Sequence, residues 1–156
     1  MPDYATLDAI ADAHNPMLGL VWAALVLQAL VARAWTIAGG RLALGLVALA
    51  VAYGLMALDA ATGLWARFGL DASTHVAVAV AMIAWFAVAS RAAGLFTFAT
   101  FALYVPLMLY QRYHSAGDIA TTALATALPM LPLAWGARRW LRCPSRRAGV
   151  IAATAG

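Results

Sequence analysis

Five apolar stretches, each close to the length that crosses a lipid bilayer and separated by only a few polar residues, leave this chain few ways to fold. A segment of about 20 apolar residues is needed to span a hydrocarbon core about 30 Å thick. The stretches run approximately over Pro16–Ile37, Leu42–Leu64, Ser73–Ser90, Ala92–Tyr110 and Ile119–Trp135. Inside hydrocarbon every backbone polar group has to be satisfied within the protein, so such spans form helices. The sequence therefore predicts an all-α fold: a polytopic membrane helix bundle of five transmembrane helices. Composition agrees, since the chain is 65% hydrophobic and 10% charged with a mean hydropathy of +0.86, against about a quarter charged in a soluble domain.

Ahead of the first span, residues 1–15 carry Asp3, Asp8 and Asp12 and no Lys or Arg, which is not the basic n-region of a secretory leader. The N-terminus is expected to be retained. Tyr4, Leu7, Ile10 and Ala11 recur at helical spacing opposite the acids, which predicts a short N-terminal helix lying at the membrane interface. His14 and Asn15 lead into Pro16, a suitable first residue for a membrane helix. The expected organisation is an interfacial segment over 1–15, a single transmembrane domain over 16–140 and a basic tail over 141–156. The connection Thr36–Arg41, with Gly39-Gly40, reads as the first turn, and Ser90-Arg91 as a tight one. Pro106, Pro129 and Pro132 are expected to kink or break their helices.

Arginine placement orients the bundle. With five spans, Arg33, Arg41, Arg91, Arg138, Arg139, Arg142, Arg146 and Arg147 fall on one side and only Arg67 and Arg112 on the other. The positive-inside rule then puts the N-terminus outside and the C-terminus in the cytoplasm, as for a protein of a bacterial-type cytoplasmic membrane. All six Asp residues fall on the outer side. The pI near 9.8 thus reflects membrane topology, and no nucleic-acid partner is expected, because the arginines do not line one soluble face. The single Cys143 excludes an intramolecular disulfide and a cysteine-based metal cluster. No carboxylate cluster or Gly-rich phosphate loop is present, so neither metal nor cofactor is expected.

Two polar segments interrupt the apolar chain, Asp71-Ala72-Ser73-Thr74-His75 and Tyr110 to Asp118, and the topology puts both on the outer face. His114 and Asp118 are four apart, so a helix beginning near His114 would stack them one turn apart, where a carboxylate orients an imidazole that acts as base or nucleophile. Asp118 could equally cap that helix, and Ser73 or Thr74 could be an ordinary N-cap. His75 beside His114 would supply a nucleophile and a separate proton donor, the pair that two-step phosphoryl transfer uses.

Ala72-Ser73-Thr74-His75, a hairpin of two spans, and then His114-x3-Asp118 opening another helix resemble the type 2 phosphatidic acid phosphatase superfamily. The likeness covers roughly residues 70 to 125 and is nearer to the sphingomyelin synthase-like lipid-phosphate transferase branch. It implies His114 as the nucleophile that forms a phosphohistidine, Asp118 as its partner and His75 as the acid on the leaving group. Its phosphatase members also carry K-x6-R-P and S-R-x5-H-x3-D. Here there is no Lys, no Arg-Pro before His75, and Met108 stands where the second motif has Arg. The family fold usually has six spans. Arg67 and Arg112, the only outer cations, are the candidates to hold phosphate in place of the missing clamp, with Ser73, Thr74 and Tyr113 beside them.

The expected function is an integral-membrane lipid phosphatase or phosphotransferase acting on a phosphate-bearing membrane lipid at the outer face. Two alternatives stand beside it. One is a non-catalytic bundle that binds a lipid or a partner protein. The other is an electron-transfer protein with His75 and His114 as axial ligands of a haem.

Overall fold

The computed structural model describes residues 4–141. The basic tail, with Arg142, Cys143, Arg146 and Arg147, lies outside the described residues except for Leu141. Five α-helices make the fold, in the order α1 Tyr4–Val31, α2 Trp35–Thr62, α3 Thr74–Ala89, α4 Arg91–Tyr110 and α5 Ala116–Leu141, with a single turn of 3₁₀ helix at Ala66–Phe68. Among the described residues there is no strand.

Four of these helices are long and apolar enough to cross a membrane. The exception is α3, whose 16 residues extend only about 24 Å. Its surroundings compensate. Packed against α2, α4, α5 and α1, it buries Val76 to Ala79, Ala81, Met82, Trp85 and Phe86. The protein, more than lipid, surrounds α3, so it need not match the bilayer thickness on its own. Leu18 of α1, Ala48 and Ala52 of α2 and Met130 of α5 close one apolar cluster around it. A second cluster joins Ala11, Val76, Tyr104, Met108 and Ile119.

Three expectations about helix ends are corrected. The first turn lies at Ala32–Ala34, not at Gly39-Gly40, which sit inside α2. Arg33 adopts φ +52, and the Arg33 N–H donates to Leu30 O at 2.9 Å while the Ala34 N–H donates to Ala29 O at 2.9 Å. This is a Schellman closure with arginine where glycine is usual. The Arg41 guanidinium then reaches back to Leu25 O and Gln28 Oε1 on α1, pinning the hairpin. Second, α1 runs without a break through Pro16, so the acidic segment is the first part of the spanning helix and not a separate interfacial helix. Pro16 is exposed, and a proline ring on an outer helix face is tolerated where the freed carbonyl can be satisfied locally. Third, of the kink or break expected at Pro106, Pro129 and Pro132, the break does not occur: all three lie within α4 and α5.

Glycines place two close approaches. A Cβ on Gly94 would come within 2.8 Å of Ala87 Cα, which fixes the α3–α4 hairpin, and one on Gly45 would strike the Trp22 ring. The described aspartates gather at one end of the bundle and Arg33, Arg41, Arg91, Arg138 and Arg139 mark the other, here called the acidic and basic ends.

Candidate functional site at the acidic end

Helix α5 begins at Ala116, two residues later than a His114–Asp118 helical pair requires. Ser115 is therefore the capping residue: the Asp118 N–H donates to Ser115 Oγ at 3.2 Å, and the Ser115 N–H donates to Asp118 Oδ2 at 2.7 Å. This reciprocal capping box satisfies donors that a helix start leaves open. The other oxygen, Asp118 Oδ1, accepts from the Asp71 N–H at 2.8 Å. Asp118 is thus a buried brace between the two polar segments; it acts on His114 electrostatically, but the close ion pair of His114 is with Asp71.

The segment before α3 is stitched to α5 at further points. The Ser73 N–H donates to Thr122 Oγ1 at 3.2 Å, and the Trp65 indole N–H donates to Thr121 Oγ1 at 3.0 Å. Asp59, near the end of α2, accepts from the Trp65 N–H at 2.8 Å. Gly117 lies against Leu70, where an added Cβ would stand 3.1 Å from Leu70 Cδ2. The two polar segments, far apart in sequence, are in contact.

His114 itself precedes the cap and is half-buried. Its Nδ1 lies 3.6 Å from Asp71 Oδ2, with the two side chains 15% and 76% exposed. That distance is within ion-pair reach and longer than a hydrogen bond. The carboxylate beside His114 is therefore Asp71, a residue of the first polar segment to which sequence spacing gave no role.

The remaining candidates divide between structure and solvent. Ser73 is fully buried and caps α3, its Oγ accepting from the Val76 N–H at 3.4 Å, so it is not open to a substrate. Thr74 is the first residue of α3 and partly exposed. Tyr113 is half-exposed and its hydroxyl donates to Asp8 Oδ1 at 2.9 Å. The same oxygen accepts from Gln111 Nε2 at 2.7 Å, so α1 fastens the connection that carries His114. Arg112 is exposed and sits at φ +57, the left-handed position of a second Schellman closure, in which the Tyr113 N–H donates to Met108 O at 3.2 Å and the Arg112 N–H to Leu109 O at 3.2 Å. Arg67 is exposed and donates to Thr62 O at 3.0 Å.

His75 turns toward α4 and α1, with its ring 6.3 Å from that of Tyr104. On the same tyrosine ring stacks His14, at 4.5 Å and 5°. His14 is buried at 7% exposure and brings the third histidine of the chain into this cluster, in which the expectations above gave it no part. The signal was present in the spacing: Ala11, His14 and Leu18, at i, i+3 and i+7, form one buried stripe once the helix is continuous through Pro16. Among the described residues no group of three or more His, Cys, Asp or Glu is arranged to hold a metal ion.

Compared with protein-family models, with curated proteins and with solved structures, the chain matches none of them. Its own geometry is that of an apolar helical bundle with an ordered cluster of His, Asp and Tyr side chains at one end.

Proposed function

We propose that this membrane protein is a lipid phosphatase or phosphotransferase that works through a phosphohistidine on His114. The observation that supports it is the brace at Asp118, which draws Asp71 from before α3 against His114 from before α5. Beside a carboxylate, Nδ1 carries the proton and leaves Nε2 as the nucleophile. The 3.6 Å separation lies within ion-pair reach and would close to a hydrogen bond with a small shift when substrate binds.

In the proposed reaction Nε2 attacks the phosphorus of a phosphate-bearing lipid, the bond from phosphorus to the lipid oxygen breaks, and His75 gives that oxygen its proton. Water or an acceptor alcohol then attacks the phosphohistidine, His75 takes up the proton, and inorganic phosphate or a new phosphate ester leaves. Arg112, exposed on the connection next to Tyr113 and His114, is the nearest cation in sequence for the phosphoryl oxygens. Asp118 acts by positioning, in place of the direct partnership with His114 that the family resemblance implies. The arginine distribution supports a site on the outer face of the cytoplasmic membrane.

A non-catalytic lipid- or partner-binding bundle is the second reading. It draws on Arg67, whose guanidinium is taken up by the carbonyl end of α2 and not by the histidines. Labelling separates the two. Purified protein given ³²P-phosphatidate or a labelled polyprenyl phosphate is expected to trap an acid-labile, base-stable adduct that His114→Ala does not form. Absence of both label and turnover across lipid phosphates would sink the catalytic reading.

A further inference from the structure

Helix α1 is held unevenly along its length. Past Pro16 it is locked into the bundle: Leu18 is fully buried, the Trp22 indole N–H donates to Arg41 O at 3.1 Å, and the Arg41 guanidinium reaches back to α1. Ahead of Pro16 the hold is lighter. Of residues 5–15, only Ala11 and His14 are buried. Ala11 packs with Val76, Tyr104, Met108 and Ile119. His14 lies flat on the Tyr104 ring at 4.5 Å, yet its ring nitrogens, shut away from water, make no well-formed hydrogen bond among the described residues, with Asn15 in weaker reach. An imidazole buried in this way gives up part of what its stacking gains.

Two ties between this segment and the connection that carries His114 converge on one atom. Asp8 Oδ1 accepts from Gln111 Nε2 at 2.7 Å and from the Tyr113 hydroxyl at 2.9 Å. Tyr113 is half-exposed, so water competes for the carboxylate. At the other end of the segment, Pro16 has no N–H, and the Asp12 carbonyl one turn back loses its helical donor. Helices bend at such points. Beneath the segment lies the Tyr104 ring, whose other neighbour is His75, 6.3 Å away.

We propose that the first three turns of α1, Tyr4 to Asn15, are a lid hinged at Pro16 and latched by Asp8, which opens to let a lipid phosphate reach His75 and closes over it. The purpose of the lid rests on the reading of the histidines as the reacting groups; its motion does not. This structure holds it closed. A segment that served only to span would seat an aliphatic side chain where His14 stands, whereas an imidazole keeps the seam separable.

Hydrogen exchange of the full chain in detergent, read by mass spectrometry over residues 5–15, tests the lid. Asp8→Ala should speed exchange there by about tenfold, the shift in an opening equilibrium when a hydrogen bond to a charged group is lost, and leave residues 17–30 at the wild-type rate. Pro16→Ala, which restores a donor for the Asp12 carbonyl, should slow it. Carbethoxylation of His14 by diethyl pyrocarbonate, mapped by peptide mass, gives a second reading: slow in the wild type and faster in Asp8→Ala. Exchange over 5–15 that is the same in all three proteins, or that rises equally over 17–30, overturns the proposal, as does a His14 that reacts no faster in Asp8→Ala. Neither readout uses turnover, so a chain inactive on every lipid phosphate would refute the phosphohistidine reading while the hinge and latch stand or fall on their own.

Discussion

The Asp118 carboxylate and the Asp71 backbone N–H meet at 2.8 Å across 47 positions of chain. Because the other carboxylate oxygen holds the Ser115 N–H at 2.7 Å, one buried side chain fixes both segments that carry the candidate chemistry. Replacing it by alanine strands two donors, and hydrogen bonds to a charged group contribute about 1.5–3 kcal/mol each. Asp118→Ala is expected to lower stability by about 3 kcal/mol, read as a fall in Tm by thermal unfolding in detergent, with Asp118→Asn intermediate. A Tm equal to wild type would show that the brace holds nothing.

Asp71→Asn separates chemistry from support. Its side chain is 76% exposed, and an exposed ion pair contributes at most about 1 kcal/mol, so Tm should scarcely move. Turnover of lipid phosphate should nevertheless drop, by at least about tenfold if the carboxylate orients His114. Unchanged turnover would remove Asp71 from the mechanism and leave His114 alone.

Arg112 holds a left-handed backbone conformation that glycine adopts without strain. Arg112→Gly should therefore raise stability by about 1 kcal/mol. The same change removes the cation nearest His114 in sequence, so a more stable protein with weaker lipid-phosphate binding, seen as a raised KM, is the expected pair of results. A variant that gains stability and keeps its KM assigns the arginine to topology alone.

Glycines in α2 and α4 should respond in opposite ways. Gly94 faces Ala87 backbone at 2.8 Å from a would-be Cβ, whereas Gly39 and Gly40 meet nothing within 4 Å. Gly94→Val is expected to cost about 1–3 kcal/mol by overpacking. Gly39→Ala and Gly40→Ala should each stabilise α2 by about 0.5–1 kcal/mol. Denaturant or thermal titration of the three variants checks the order.

The bundle is legible from the apolar runs because bilayer thickness sets a length that helices must reach, and the pairing of the two polar segments follows from counting crossings. Helix ends are less legible. Gly39-Gly40 reads as a turn by local propensity, but the Arg33 closure and the Arg41 contact to α1 decide the matter through tertiary packing. The partnership of His114 escapes the sequence for a similar reason. A spacing of four implies contact only inside a helix, and Ser115 moves the helix start past His114. His14 is hidden because Pro16 resembles a helix beginning, when it is an interior residue of α1.

The short α3 has a consequence for how the chain is made. Its leading segment needs acceptors that lie in α5, Asp118 for the Asp71 N–H and Thr122 for the Ser73 N–H. Those acceptors are synthesised more than forty residues later. Until they arrive, α3 has neither the length to sit in lipid unaided nor partners for its first donors. Its stable integration waits on α5, so a ribosome stalled before Asp118 should leave α3 accessible to aqueous labelling beside the insertion machinery, while α1 and α2 are already in the bilayer.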